Sequence, residues 1–303
     1  MLITQNLSLV RILRSTWKVD LMMIFTCVAT YYLHEYIVSR AIQIPATLAT
    51  LLGTAIAFFV GFNNNQAYSR WWEARTIWGA IVNDSRSWTR NILYYTVPGE
   101  LTIDELAALK KRIIFRQIAF IYALKESLRR NAEGYYKQFL SETDLEQVNK
   151  ESNTANAILS LHAIDLQQLS QAHAIDEFRF VQFNTLISAL TDHMGRSERI
   201  RNTVFPTSYI YFTRLFIWAF VIFLTLILAD AVGGWSIVIG WIIGFIFHVT
   251  HQNGMGLMDP FDEISTGIPL NQICRTIEIN LLQMLGEKDI PPPVQPINQE
   301  YYL

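Results

Sequence analysis

The pattern of apolar and polar positions changes along one uninterrupted stretch, residues 46–90. It begins as the apolar run ATLATLLGTAIAFFVGF and continues without a helix breaker into NNNQAYSRWWEARTIWGAIVNDSRSWTR. A segment that starts apolar and ends charged and Trp-rich predicts one long helix leaving a membrane. Thr54, Phe58 and Phe62 lie four residues apart in its first part and therefore share one helical face. In its second part, small and apolar residues recur at steps of four and three, which predicts a face packed on other helices: Ala67, Trp71, Ala74, Trp78, Ile81, Ser85, Trp88 and Ile92.

The apolar blocks of the chain predict four membrane crossings. They are Val19 to about Val38, Ala46–Phe62, Tyr209–Asp230 and Trp235 to about Val249. Three basic residues precede the first crossing and four follow the second, whereas the link between them holds only Arg40. This bias predicts that both termini lie on the cytoplasmic side of a bacterial inner membrane.

The rest of the chain is polar and helical in pattern. Apolar spacing predicts helices over 104–130, 143–169 with a break at 149–156, 176–201 and 270–285. No long stretch alternates with period two, so no sheet is expected. The chain is thus predicted to divide into residues 1–62 (an N-terminal arm and two crossings), 63–205 (a cytosolic helical domain), 206–250 (two crossings) and 251–303 (a helix and a proline-rich tail). The arm, residues 1–18, is either a short amphipathic helix on the membrane surface or a solvated segment.

Composition supports a membrane protein with a sizeable water-exposed part. Hydrophobic residues make up 51% of the chain and charged residues 17%, against about 25% in soluble domains. The 24 basic and 26 acidic residues leave a net charge of -2, which argues against a nucleic-acid partner. Cys27 lies in an apolar block and Cys274 in a polar one, so no disulfide is expected. No cofactor is predicted.

The line of Thr54, Phe58 and Phe62 has two interpretations. It can be ordinary packing between transmembrane helices, or it can be a narrow hydrophobic constriction that gates by dewetting. Four crossings of this length cannot easily enclose a pore within one chain. A channel would therefore need several copies around a symmetry axis.

The polar residues just below that line are equally open to two readings. Asn63, Asn64 and Asn65 either solvate the helix where it leaves the membrane or line a wider polar vestibule. The Trp71-Trp72 pair is interpreted as structural, in helix packing or the interfacial aromatic belt.

His248 and His251 stand one helical turn apart, with Asp259 nearby in sequence. This spacing could belong to the metal site of a membrane-bound metalloenzyme, or to polar packing at a helix end. A single histidine pair is a weak metal signal. The chain shows no Gly-rich phosphate loop and no nucleophile–histidine–acid set, so an enzyme is not the leading prediction.

Two motifs resemble the bestrophin family in its bacterial branch, and the resemblance covers nearly the whole chain. They are GFNNNQAYSRWWEAR, with Arg70-Trp71-Trp72 eight residues beyond Phe62, and MDPFDE after the last crossing; GRSERIRNTVFP ahead of the third crossing adds to them. The resemblance implies an all-α subunit in a homopentamer with one axial pore. The family neck uses three hydrophobic residues of the second crossing, and the register from Gly61-Phe62 places them at Thr54, Phe58 and Phe62.

The resemblance also implies a passive channel for monovalent ions, whose partners are its own copies and the lipid bilayer. Phenylalanine ring edges carry partial positive charge, which favours anions such as chloride over the alternative of a sodium or potassium channel. Eukaryotic members bind calcium through an acidic run, of which only Asp262 and Glu263 remain here, so calcium activation is not expected. The family has a second, cytosolic constriction, which falls loosely near residues 179–183.

Overall fold

The computed structural model describes residues 9–37, 45–203, 206–297 and 301–303, and over these ranges the chain is helical. A single bridge between Ile297 and Tyr301 is the one β-type pairing within them. Nine α-helices follow one another in the same ranges: α1 Leu9–Tyr36, α2 Ala46–Tyr94, α3 Ile103–Arg129, α4 Glu142–Val148, α5 Thr154–Gln171, α6 Glu177–Asn202, α7 Thr207–Val232, α8 Trp235–Met255 and α9 Leu270–Leu285. A short 3-10 helix, Tyr135–Phe139, is an element that the sequence pattern does not predict.

The long helix predicted from the sequence is confirmed, because α2 runs unbroken for 49 residues. Its predicted packed face is buried, with Trp71 partly so. The predicted break before α5 is also present. It ends where the Asn153 side chain accepts a hydrogen bond from the Asn156 backbone N–H and caps that helix.

By its contacts, the chain groups into two compact units. The apolar unit comprises Gln5–Arg70 and Val204–Met258, and the polar unit comprises Trp71–Thr203 and Asp259–Leu303. In the apolar unit, α1, α7 and α8 pack on one another, and the first half of α2 packs on α7 through Ile56 and Val60.

Close packing in the apolar unit depends on a glycine of α8. A Cβ at Gly244 would lie 2.4 Å from Met23 Sδ and 2.6 Å from Val221 Cγ2. Small residues let membrane helices approach in this way, so glycine at this position brings α8 against α1 and α7.

Three of the described helices, α2, α7 and α8, are long and apolar enough to cross a membrane. The prediction of four crossings is therefore not met on length and composition by α1, which carries Asp20 and His34. From Leu9 onward the predicted arm and first crossing form one helix. The remainder of the arm, and the link that holds Arg40, lie outside the described residues.

The polar unit has an aromatic core and a buried ion network. Trp78, Trp88 and Phe120 are fully buried. Arg116 of α3 donates from Nε to Asp144 Oδ2 at 3.1 Å and from Nη1 to Asp165 Oδ2 at 2.6 Å. Burial disfavours ionisation of both carboxyls; the guanidinium outweighs it at Asp144, whose pKa falls below its usual value, whereas burial prevails at Asp165, whose pKa rises.

A neutral histidine lies beside this network. His162 of α5 is fully buried, and burial, together with the charge of Arg116, lowers its pKa to about 3. Its Nε2 is 3.1 Å from Gln117 Oε1, while Gln117 Nε2 donates to Ser85 Oγ at 2.9 Å. This chain of hydrogen bonds links α5 and α3 to the second half of α2.

Candidate functional site

Thr54, Phe58 and Phe62 lie on a face of α2 that the subunit itself leaves uncovered. Phe58 is 70% exposed and Phe62 is 42% exposed. Thr54, one turn before Phe58, is exposed as well. Ile56 and Val60, on the opposite side of the helix, are buried against α7. The structure therefore brings the three predicted residues together on one exposed stripe of an apolar helix.

Neighbouring groups support this stripe. The Thr54 hydroxyl donates to the Thr50 carbonyl at 2.8 Å, so its proton is used within the helix. The Phe58 ring meets the Phe59 ring edge-on at 6.1 Å, and Phe62 lies 6.5 Å from the Tyr209 ring of α7. Both phenylalanines thus rest on other aromatic rings while keeping an exposed surface.

The three asparagines below the stripe differ from one another. Asn63 is fully buried and donates to Thr213, whereas Asn64 is half-buried and donates to the Thr250 carbonyl. Asn65 is exposed. These contacts place Asn63 and Asn64 in the helix packing, and the vestibule prediction is left with Asn65.

His248 and His251 are both buried in α8. Asp20 of α1 is buried as well, and its Oδ2 accepts a hydrogen bond from Thr16 at 2.6 Å. Within the described part of the chain, no three His, Cys, Asp or Glu side chains come together as metal ligands do. The geometry gives the metal-site interpretation no support.

Near the predicted cytosolic constriction, residues 179–183, the exposed apolar side chains are not those at the end of the predicted range. Phe183 is fully buried and packs edge-on against Trp88 at 6.0 Å. Phe178 is 89% exposed at the start of α6, and Val181 is exposed one turn later. The buried Phe183 lies five residues after Phe178 and two after Val181 on α6, so these two side chains are on the face opposite the core.

The loop after α8 is held by arginines that are distant in sequence. Arg201 pairs with Asp262 at 2.7 Å, and Arg129 pairs with Glu263 at 3.1 Å. Trp71 Nε1 donates to the Thr266 carbonyl at 2.9 Å, which confirms a structural role for this ring. Both acidic side chains that remain from the calcium-binding run are thus already paired with arginines. Nothing in the sequence pattern pointed to these arginines, because 61 residues separate the first pair.

Comparison with known proteins identifies the family. The family model described as Bacterial/Fungal Bestrophin protein matches residues 7–283. The chain belongs to this bestrophin family. It is 33% identical over 251 residues to the Voltage-dependent anion channel-forming protein YneE of Salmonella typhi, covering 82% of this chain and 80% of that protein. The protein of that name from Escherichia coli K12 is 31% identical over 256 residues, covering 84% and 82%.

Solved structures agree with the family. A bacterial bestrophin homologue from Klebsiella pneumoniae matches with a TM-score of 0.82 at 25% identity, covering 89% of this chain and 98% of that one. The resemblance inferred from the two motifs is confirmed. The bestrophin subunit described here is an all-helical membrane protein.

Proposed function

We propose that this bestrophin forms a homopentameric ion channel whose neck is lined by Thr54, Phe58 and Phe62. The observation that carries the proposal is the exposed, aligned aromatic stripe on an apolar helix. The naming of relatives from Salmonella typhi and Escherichia coli as anion channel-forming proteins supports permeation.

The exposure of Phe58 also supports assembly. Burying a phenylalanine side chain is worth about 1.5–3 kcal/mol, so a ring left open by the subunit is expected to meet lipid or other subunits. Five copies around one axis, as the family resemblance implies, turn the stripe inward as a ring. A hydrophobic ring of this kind is narrow and sheds water easily, which gates ion flow.

The permeant ions are proposed to be monovalent anions such as chloride. Phenylalanine edges turned toward the axis favour an anion that has lost part of its hydration shell. Charges in wider regions are screened over about 8 Å at physiological salt, whereas the neck acts at contact distance. The alternative of the same fold is a sodium or potassium channel, in which acidic residues of the vestibules concentrate cations. The metalloenzyme alternative finds no favouring observation.

α1 is proposed as the fourth crossing, with both termini cytoplasmic in the bacterial inner membrane. Its buried His34 has a partner on another helix, because His34 Nε2 lies 3.3 Å from Asp230 Oδ1 of α7. Leu21 and Phe25 are exposed on its outer face. Trp17, about two turns inside the start of α1, and Tyr36, its last residue, are exposed and lie about 28 Å apart along the helix axis, which matches a hydrocarbon core of about 30 Å.

The polar unit is correspondingly proposed to be cytosolic. Phe178 then becomes the candidate for the second constriction, because it is the most exposed large apolar side chain that the structure describes. A ring of five such side chains would narrow the pore again outside the membrane.

Reconstitution under a salt gradient tests the function. Purified protein in planar bilayers should give currents that reverse near the chloride equilibrium potential. Reversal near the sodium or potassium potential would establish the cation channel instead. Assembled protein that gives no current in any salt would remove the channel proposal.

A further inference from the structure

The two asparagines that follow Phe62 attach α2 to two neighbouring helices. Asn63 Nδ2 donates to Thr213 Oγ1 of α7 at 2.8 Å, and both side chains are buried. Asn64 Nδ2 donates to the Thr250 carbonyl of α8 at 3.0 Å. Because successive residues lie 100° apart on a helix, both amides are on the side of α2 turned away from Phe58.

Contact with α8 requires a glycine at position 254. A Cβ there would lie 1.9 Å from Asn64 Oδ1 and 3.2 Å from Asn64 Cα. The α8 backbone therefore approaches α2 closely at this turn, and Asn64 has little room to change its side-chain position. One turn of α2 is thus held from two directions.

Rotation of α2 would break both hydrogen bonds. Asn63 Oδ1 and Asn64 Oδ1 are buried and accept no hydrogen bond from the residues that the structure describes. Among the described residues, each amide is therefore held by the hydrogen bond that its Nδ2 donates. Turning the helix would leave that donor unpaired as well. Unpaired amides are costly in an apolar surrounding, so the hydrogen bonds define one rotational setting of α2.

We propose that Asn63 and Asn64 are positioning residues that set the rotation of α2 and so present the neck phenylalanines to the pore. This inference rests on the neck proposed above. Ala57 and Gly61 are also exposed, each immediately before a neck phenylalanine and thus in the adjoining sector of the helix. If α2 turned, a methyl group and a hydrogen would replace two rings at the axis, and the neck would widen.

Unitary conductance in planar bilayers tests the inference. Asn63→Leu and Thr213→Val should each raise it about twofold or more, because a wider hydrophobic neck stays wet more of the time. The double variant should exceed neither single one, since both remove the same bond. Thr213→Ser keeps the hydroxyl and should conduct as the parent does. Thr26→Val is the matched control for Thr213→Val, because the Thr26 hydroxyl donates to Met22 within α1 itself, and it should also leave conductance unchanged.

Thiol labelling gives a second readout that does not depend on ion flux. Gly61→Cys introduces a reporter where an added Cβ meets no heavy atom within 4 Å, and the native Cys27 and Cys274 are buried. A water-soluble thiol reagent should modify this reporter faster in the Asn63→Leu background than in the parent background. Size-exclusion chromatography identifies the variants that assemble like the parent.

The outcomes separate this inference from the neck proposal. If Phe58→Ala and Phe62→Ala raise conductance while assembled Asn63→Leu and Thr213→Val change neither conductance nor labelling, the positioning role is overturned and the neck stands. If the two phenylalanine variants conduct as the parent does, the neck is wrong and the positioning role falls with it.

Discussion

Two pairs of aromatic side chains on α2 have opposite environments, Phe58 and Phe62 in its first half and Trp78 and Trp88 in its second. In the first half, Phe58 is 70% exposed and Phe62 is 42% exposed. In the second half, Trp78 and Trp88 are fully buried, the latter against the rings of His162 and Phe183. The helix itself is continuous, so the difference comes from what packs on each half.

This contrast separates residues that stabilise the fold of the subunit from residues whose exposed surface the subunit does not cover. The second half has its environment within the same chain, in α3, α5 and α6. The first half buries one side through Ile56 and Val60 and leaves the aromatic stripe for lipid, other subunits or permeating ions. Mutations in the two halves should therefore produce different kinds of effect.

The largest expected effect on stability is that of Trp88→Ala. Removing a fully buried tryptophan should lower the free energy of unfolding by about 3–5 kcal/mol, because it leaves a cavity in the core. Phe58→Ala should lower it by clearly less, because the subunit itself buries little of that ring. Thermal unfolding in detergent compares the two. Equal losses of stability would show that the halves are not different in kind.

The converse experiment measures conduction. Phe58→Ala and Phe62→Ala should each raise single-channel conductance severalfold, because a wider hydrophobic ring stays hydrated more of the time. Phe25→Ala, at an exposed phenylalanine of α1, is the matched control and should have no effect. Unchanged currents in both α2 variants would remove this stripe from the pore.

A smaller effect concerns how stability depends on pH through His162, the buried histidine that packs against Trp88. His162 has a pKa of about 3 when folded and about 6.5 when unfolded, so the unfolded chain binds the extra proton. Its contribution to stability is intact above pH 6.5 and declines as the pH falls toward 3. Between pH 7.5 and 5.5 the loss should be roughly 1 kcal/mol.

Replacing this histidine isolates its share. His162→Gln should flatten the pH dependence of the melting temperature between pH 7.5 and 5.5. The same slope in His162→Gln as in the parent would contradict the assignment.

The smallest expected effect is that of calcium. Arg201 and Arg129 already neutralise Asp262 and Glu263, and a calcium site needs about 6–8 oxygen ligands. Chelation should therefore leave ion flux as it was, both in the parent and in Asp262→Asn. A steep dependence on micromolar calcium would show that the loop exchanges its arginines for a cation.

Periodicity predicted the helices because each packed face repeats within its own segment. The buried stripe of α2 and the bounds of α9, Leu270–Leu285, follow from local spacing alone. Helical periodicity also placed Thr54, Phe58 and Phe62 on one face. The choice of that face for the neck came from the family resemblance.

Long-range pairings could not be predicted in this way. The bond from Asn63 to Thr213 joins residues 150 apart, and Arg116 joins Asp144 and Asp165 of two other helices. A polar run on a helix leaving the membrane suggests contact with water, and only the tertiary packing turns Asn63 inward. Composition likewise does not show the partner of His34 in α1, because Asp230, whose Oδ1 lies 3.3 Å from its Nε2, is on α7.

The unbroken course of α2 has a consequence for which changes of chain length are tolerated. One residue inserted between Phe62 and Trp71 would turn the two halves by 100° relative to each other, putting either the stripe or the tryptophan face out of phase. Seven inserted residues would bring the halves back to within about 20°. Insertions of about two turns should therefore be tolerated in this helix, whereas insertions or deletions of a single residue should not be.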